Sequence, residues 1–148
     1  MGGQADFTAD EWVTMRRAVT SAGYIVARAE GGGAGDMLSE VLAVTQRLSA
    51  AGRGHENQLV RELCAMAHVQ SGMRPEVKQR EWEEQSLEAI RTATTCVAKT
   101  APDDLHAFRT FVVELAEAAA KAHREWGVRV TPAEAAAIGR VKKALGLT

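Results

Sequence analysis

The longest regular pattern of apolar positions in the chain runs from Asp103 to Trp126. Apolar residues recur there at intervals that alternate between three and four, which is the spacing of one face of a helix packed in a bundle. Large side chains fill the first half of this face, and alanines fill the second half, where a neighbouring helix can approach closely. The face consists of Leu105, Phe108, Val112, Leu115, Ala119, Ala122 and Trp126. We therefore expect a long central helix in an all-α fold.

The same spacing predicts the other helices. The first begins at a capping box of Thr8 and Glu11, with Phe7 and Trp12 placed as a hydrophobic staple. No alternating apolar and polar run is bounded by hairpin turns, so no strand is expected. The predicted helices run from about 9 to 29, 36 to 51, 56 to 69, 75 to 100, 103 to 126 and 132 to 145. Short connections between them favour a single-domain antiparallel bundle of five to six helices over residues 1–148, with the fifth helix at its centre.

Caps and inward-facing positions complete this prediction. Ala101-Pro102 ends the fourth helix, and Thr100 with Asp103 is the expected cap of the fifth. Thr131 and Glu134 give the sixth helix a second capping box. The residues of the second helix expected to face inward are Leu38, Val41, Leu42, Thr45 and Leu48.

Composition narrows the class of protein. The chain has 148 residues, of which 46% are hydrophobic and 25% charged, and a net charge of −1. No segment is strongly basic, which argues against a nucleic-acid partner. No apolar run is long enough to span a membrane, and the N-terminus lacks the pattern of a signal peptide, so we expect a cytoplasmic protein. Abundant alanine and an excess of arginine over lysine indicate a GC-rich bacterial genome.

The two cysteines, Cys64 and Cys96, are far apart in sequence, and we expect both to be buried thiols. Cys64 and His68 are one helical turn apart and could both reach a metal ion, with Glu62 and His55 nearby. A structural zinc site normally needs four ligands, and no second pair accompanies this one. We therefore expect no metal and no other cofactor.

Catalytic patterns are absent from the sequence. Gly31–Gly35 is glycine-rich like a phosphate-binding loop but lacks the Gly-Lys-Ser/Thr ending, so we expect a flexible connector. Glu114 and Glu117 lie one turn apart, and His106 and His123 share their helix, but none belongs to a known catalytic motif. A general acid and base would need burial to shift their pKa values. We expect no catalytic residue, and an enzyme that uses these side chains remains a third hypothesis.

Tryptophans are the strongest candidates for an interface. Trp82 lies in a charged stretch, Arg80–Glu84, where an exposed tryptophan would be an anchor for a partner. In the alternative interpretation, Trp82 folds back on the bundle with its N–H at the rim. The surrounding segment, 76 to 85, is expected to project or to lie on the surface. Trp82 and Trp126 are therefore the candidate interface residues.

Two resemblances bear on the fold. The stretch FTADEW, the long alanine-rich helix and the closing TPAEAAAIGRVKKALGL together resemble a group of uncharacterised bacterial all-helical proteins of about this length. VTPAEAAAIGRVKKALGL is also similar to the closing helix of TerB-like domains of tellurite resistance. That family usually has an acidic Asp-Gly step before the capping residue, whereas this chain has Trp126-Gly127-Val128-Arg129-Val130. The resemblance implies a helical fold and carries over no functional residue.

Two functional hypotheses of different class follow. The first is a non-enzymatic helical bundle that acts through protein contacts, including self-association as a homodimer, because several helices carry wide apolar faces that one bundle need not cover. The second is a TerB-like domain that binds a small molecule or a metal.

Overall fold

The computed structural model describes residues 3–29, 34–65, 79–125 and 132–147, without the side chains of 34–39, 79 and 123–125. These residues form six α-helices, two short 3-10 helices and no strand, so the predicted all-α fold is confirmed. The α-helices are α1 (Ala9–Ala27), α2 (Ala34–Gly54), α3 (Gln58–Ala65), α4 (Gln79–Thr100), α5 (Leu105–Glu125) and α6 (Pro132–Ala144). The 3-10 helices are Gln4–Asp6 and Pro102–Asp104. No described helix combines the length and the apolar character needed to cross a membrane.

The predicted start of α1 is confirmed. The Glu11 N–H donates to the Thr8 hydroxyl at 3.1 Å, and the Thr8 N–H donates to the Glu11 carboxylate at 2.8 Å. The rings of Phe7 and Trp12 lie 6.1 Å apart, as a hydrophobic staple requires. These contacts satisfy amide donors that the first helical turn leaves unpaired.

The predicted cap between α4 and α5 is wrong. The helix α4 continues through Thr100, and the N–H of Ala101 still donates to the carbonyl of Val97 at 2.8 Å. Ala101 then caps the 3-10 helix without a side-chain hydrogen bond, and Pro102 occupies its first turn. Thr100 is therefore held in the last turn of α4 and cannot also serve as the cap of the next helix.

Helix α1 is more deeply buried than the helix expected to be central. Every residue from Ala18 to Ala27 is buried, and α1 contacts all five other helices. Helix α5 also contacts the other five, but one stripe of its surface is exposed. At Gly23, a Cβ atom would meet Val44 of α2 and would lie 3.0 Å from the carbonyl oxygen of Leu115 in α5. Helices α1, α2 and α5 thus approach one another closely at Gly23, where α1 carries no side chain.

Two pairs of neighbouring helices, α1 with α4 and α2 with α5, run antiparallel. The Arg17 guanidinium in the middle of α1 donates to Gln85 near the start of α4 at 3.2 Å. The carboxylate of Glu11 at the start of α1 raises the pKa of Cys96 near the end of α4, so these two residues are also close. Asn57, which follows α2, donates to Asp104 just before α5 at 3.0 Å. In each pair, the end of one helix therefore lies beside the start of the other, as expected for an antiparallel bundle.

The core draws on all six helices. The described members of the α5 seam are buried, apart from the partly buried Leu105, and Trp126 lies outside the described residues. In α2 the prediction holds for Leu48 but is wrong for Leu42, which is 52% exposed. The buried side of α2 carries Val44 and Leu48, which are four residues apart. Leu42 is exposed because it lies on the opposite side of the helix.

The end of α6 is fixed to α5. Gly146 adopts a positive φ of 77°, and the N–H groups of Gly146 and Leu147 donate to the carbonyls of Lys143 and Lys142, each at 3.0 Å. This pattern is a Schellman motif, for which a glycine in the left-handed region is the usual solution. The Arg109 guanidinium of α5 donates to the Leu145 carbonyl at 2.8 Å, which places a cation at the negative end of the helix dipole.

Candidate functional site

Trp82 lies inside the bundle. Its side chain is 2% exposed, and the guanidinium carbon of Arg28 sits 4.6 Å from the centre of its ring. This position fits the interpretation in which Trp82 folds back on the bundle, and the Arg28 contact is a cation–π interaction. The charged residues around it, such as Arg80, Glu81 and Glu84, are exposed. An interface role for Trp82 has no support from this position, and Trp126 lies outside the described residues.

The region around Cys64 gives no support to a metal site. Burial raises the pKa of the Cys64 thiol to about 12, whereas metal ligation requires the thiolate. His68 lies outside the described residues. Within the described ranges, no group of three His, Cys, Asp or Glu side chains is arranged to hold a metal ion. Cys96 is partly exposed, and its pKa is raised by desolvation and by the carboxylate of Glu11, so its thiol is not activated either.

The residues of the enzymatic hypothesis lie on the surface. Glu114, Glu117 and His106 are all exposed on α5. An exposed carboxylate pair lacks the desolvation that tunes a general acid or base. The side chain of His123 and the glycines 31–33 lie outside the described residues. The three described residues of this hypothesis therefore lack the burial that a catalytic role would require.

A different surface emerges on α5. Exposed side chains recur there at intervals of three and four residues and form a stripe about four turns long, which we name the α5 face. The α5 face consists of His106, Thr110, Glu114, Glu117 and Lys121. Because a helix repeats every 3.6 residues, these side chains project from one side of α5, opposite its buried seam.

Shallow hollows adjoin the α5 face. One, of about 480 Å³, is lined by residues of α2, α5 and α6, and a smaller one, of about 260 Å³, is lined by residues of α2 and α5. Ala118 lines both hollows, and Ala135 of α6 adds to the floor of the larger one. Small side chains on the floor allow a partner to approach the backbone closely.

The charges around these hollows come from three helices. Arg47 of α2 and Lys121 of α5 line both hollows, while Lys142 of α6 joins Glu114 and Glu117 at the larger one. Within the described residues, none of these five side-chain charges takes part in a hydrogen bond or an ion pair.

Two ion pairs lie elsewhere on the described surface. The Arg140 guanidinium of α6 contacts the Glu83 carboxylate of α4 at 2.6 Å, and Arg91 contacts Glu88 at 2.8 Å within α4. The surface near the α5 face combines charges of both signs, none of them paired within the described residues, with a floor of alanines.

Sequence reasoning missed several buried polar groups. The carboxyl side chains of Glu40, Asp104 and Glu134 are 3%, 3% and 1% exposed. Asn57 links one of them to α3: its oxygen accepts the N–H of Val60 as the N-cap of α3, and its amide donates to Asp104. The asparagine at the start of α3 was a detectable capping signal, whereas nothing local in the sequence marks the burial of the three carboxyl groups.

Comparison with known proteins identifies no relative: no family model matches the chain, and neither a curated protein nor a solved structure is significantly similar to it. The functional assignment therefore depends on the chemistry of the α5 face and its hollows. This surface can form several weak ionic contacts and one close apolar contact at the same time, which suits recognition of a folded partner.

Proposed function

We propose that the protein is a non-enzymatic helical bundle that acts by binding another protein at the α5 face. The observation that carries this proposal is the set of unpaired charges of both signs that three helices contribute around the hollows, namely Arg47, Glu114, Glu117, Lys121 and Lys142. Complementary charges steer association and fix the register of two protein surfaces.

The mixture of signs favours a protein partner over a small anion. Glu114 and Glu117 lie beside the cations and would repel a phosphate or a carboxylate that approached Lys142. A protein surface can place acidic groups against the cations and basic groups against the two carboxylates. A helix is well suited to such a surface, because its charged side chains can flank a close contact with Ala118.

Further observations support the same proposal. The exposed position of Glu114 and Glu117 favours a binding role over a catalytic one. Cys64 and Cys96 are both free thiols, which suits the reducing cytoplasm, and we propose that compartment as the site of action.

Site-specific photocrosslinking in cells tests the proposal. A photoreactive phenylalanine analogue would replace Thr110, which is exposed on the α5 face, and Thr92, which is exposed on α4, would receive the same residue as a matched control. We expect light-dependent protein adducts at position 110 and none, or far fewer, at position 92. Equal adducts at both positions, or none at either, would overturn the α5 face as a binding surface.

A TerB-like small-molecule or metal-binding domain is the second candidate function. The larger hollow beside the α5 face, at about 480 Å³, falls within the size range of ligand sites, and Arg47, Lys121 and Lys142 surround it. Native mass spectrometry and metal analysis of the purified protein test this candidate. A stoichiometric ligand that is lost in Lys142→Met would favour it over protein binding, whereas an empty protein would remove it.

A further inference from the structure

We infer that the partner at the α5 face is a second copy of this chain, docked about a two-fold axis so that Glu114 of each copy faces Lys121 of the other. This inference rests on the proposed function and specifies its partner. The two residues have opposite charge, are exposed on one helix, and have no ionic partner within the described part of their own chain.

The spacing of Glu114 and Lys121 suits this arrangement. Seven residues are almost two helical turns, so both side chains point from the same side of α5, about 10 Å apart along its axis. When two copies of α5 cross antiparallel, position 114 of one lies opposite position 121 of the other, and the converse pair forms by symmetry. A two-fold interface must match its own surface in this way.

The residues near the axis also fit a second copy. The midpoint between Glu114 and Lys121 falls at Glu117 and Ala118, and the small side chain of Ala118 permits a close crossing. The symmetry brings two Glu117 carboxylates towards each other. Arg47, which lines both hollows together with Ala118, supplies a compensating positive charge in each copy.

The shape of the surface supports the same pairing. The α5 face carries long side chains beside hollows that residues of α2 and α6 also line, so one surface carries both the projecting and the receiving part of a contact. Long side chains of the α5 face in one copy can enter the hollows of the other, as in ridges-into-grooves packing of helices. An isologous contact needs both features on the same patch.

Charge exchange combined with sedimentation equilibrium tests the inference. Masses would be measured for the wild type from about 1 µM to about 500 µM, a range that reveals weak dimers. Because of the two-fold symmetry, Glu114→Lys and Lys121→Glu each create two like-charge pairs across the interface. We expect each variant to raise the dimer Kd by about tenfold or more. The double variant, Glu114→Lys with Lys121→Glu, restores opposite charges and should recover a Kd near the wild-type value.

A mixture of the two single variants provides an independent readout. Glu114→Lys and Lys121→Glu should prefer each other as a heterodimer, because both cross-pairs then have opposite charge. Glu84→Lys is the matched control, since Glu84 is exposed on α4 and lies outside the hollows beside α5. This control should leave the Kd unchanged, and high salt should weaken the wild-type dimer.

Two results would overturn the inference. One is a wild type that stays monomeric over the whole concentration range, and the other is a dimer whose Kd is unaffected by the single variants or is not restored by the double variant. Crosslinking at position 110 separates this failure from that of the proposed function. An adduct to a different protein would support binding at the α5 face while excluding self-association, and an adduct of twice the chain mass supports both.

Discussion

Gly23 of α1 and Val44 of α2 are in such close contact that no side chain fits between them. A Cβ atom at position 23 would overlap one methyl group of Val44 and would lie 2.6 Å from the other, as well as 3.0 Å from the Leu115 carbonyl oxygen. Contacts of this length do not occur between unstrained groups. The absence of a side chain at Gly23 therefore determines how closely α2 and α5 approach α1.

Gly23→Ala should destabilise the protein by about 1–3 kcal/mol, because overpacking outweighs the gain in helix propensity. Gly139→Ala is the matched control: nothing lies within 4 Å of its added Cβ atom, and it should stabilise the protein by about 0.5–1 kcal/mol. Urea unfolding followed by circular dichroism measures both changes. The double variant, Gly23→Ala with Val44→Ala, should lose less stability than the sum of the losses in the two single variants. A loss equal to that sum would show that the two positions are not in contact.

Trp82→Ala should lower the free energy of unfolding by about 3–5 kcal/mol, as expected for the loss of a fully buried aromatic side chain. Arg28→Ala should cost less, because it removes a cation from the ring and leaves the apolar contacts in place. Thermal and urea unfolding of both variants test this order. If Trp82→Ala kept full stability but lost a partner, the side chain would be an exposed anchor and its buried position would be wrong.

Asn57→Asp should produce a pH-dependent loss of stability. The new carboxylate keeps the N-cap contact to Val60 but comes within hydrogen-bonding distance of Asp104, where the amide now donates at 3.0 Å. Two carboxylates so close cannot both ionise without cost, and protonation of one restores a hydrogen bond. We expect a deficit of about 1–3 kcal/mol at neutral pH, which shrinks as the pH falls towards 4.

Asn57→Ala is the comparison for this change. It removes both contacts without adding a charge, so its deficit should be nearly constant over the same pH range. Urea unfolding at several pH values gives both curves. Parallel curves for the two variants would contradict the predicted contact between positions 57 and 104.

Glu11 should make the stability of α1 depend on pH. The Thr8 N–H holds the pKa of the Glu11 carboxyl below its ordinary value of 4.5, with smaller contributions from the Thr8 hydroxyl, Cys96 and Lys99. Because the folded state lowers this pKa, the contribution of Glu11 is present above the ordinary value and is lost as the pH falls through the lowered one.

Glu11→Gln retains a capping side chain without the charge, so it isolates this effect. The stability difference between wild type and Glu11→Gln should be constant near neutral pH and should decrease below about pH 4.5. Unfolding by urea between neutral and acid pH measures it. A difference that grows on acidification would mean that the pKa is shifted in the opposite direction.

The elements predicted best were those whose signal is local. The capping box of Thr8 and Glu11 and the seam of α5 depend on spacing within one helix, and both are present. Leu42 was assigned to the wrong side because the apolar stripe of α2 is wide, and only contacts with other helices decide which part of it is buried. Thr100 was misassigned because one residue can end a helix or cap the next, and the sequence contains both signals.

The candidate site could not have been predicted in the same way. Glu114 and Glu117 were visible as a carboxylate pair on one helix, but Arg47 and Lys142 reach the same surface from α2 and α6. Their proximity depends on how three helices pack. Trp82 shows a different case, because its charged sequence neighbours left both an exposed and a folded-back position open, and in the structure its side chain is buried.

The burial of the second half of α1 has a consequence for biosynthesis. This helix is translated before the two helices that cover it most extensively, α4 and α5, which come from the second half of the chain. At ordinary rates of translation, α1 waits several seconds, on the order of 50 to 100 residues of synthesis, before those partners leave the ribosome. During that time the mostly apolar residues 18–27 of α1 stay uncovered, so we expect nascent-chain chaperones to bind them. Premature termination after α3 should then yield a fragment prone to aggregation.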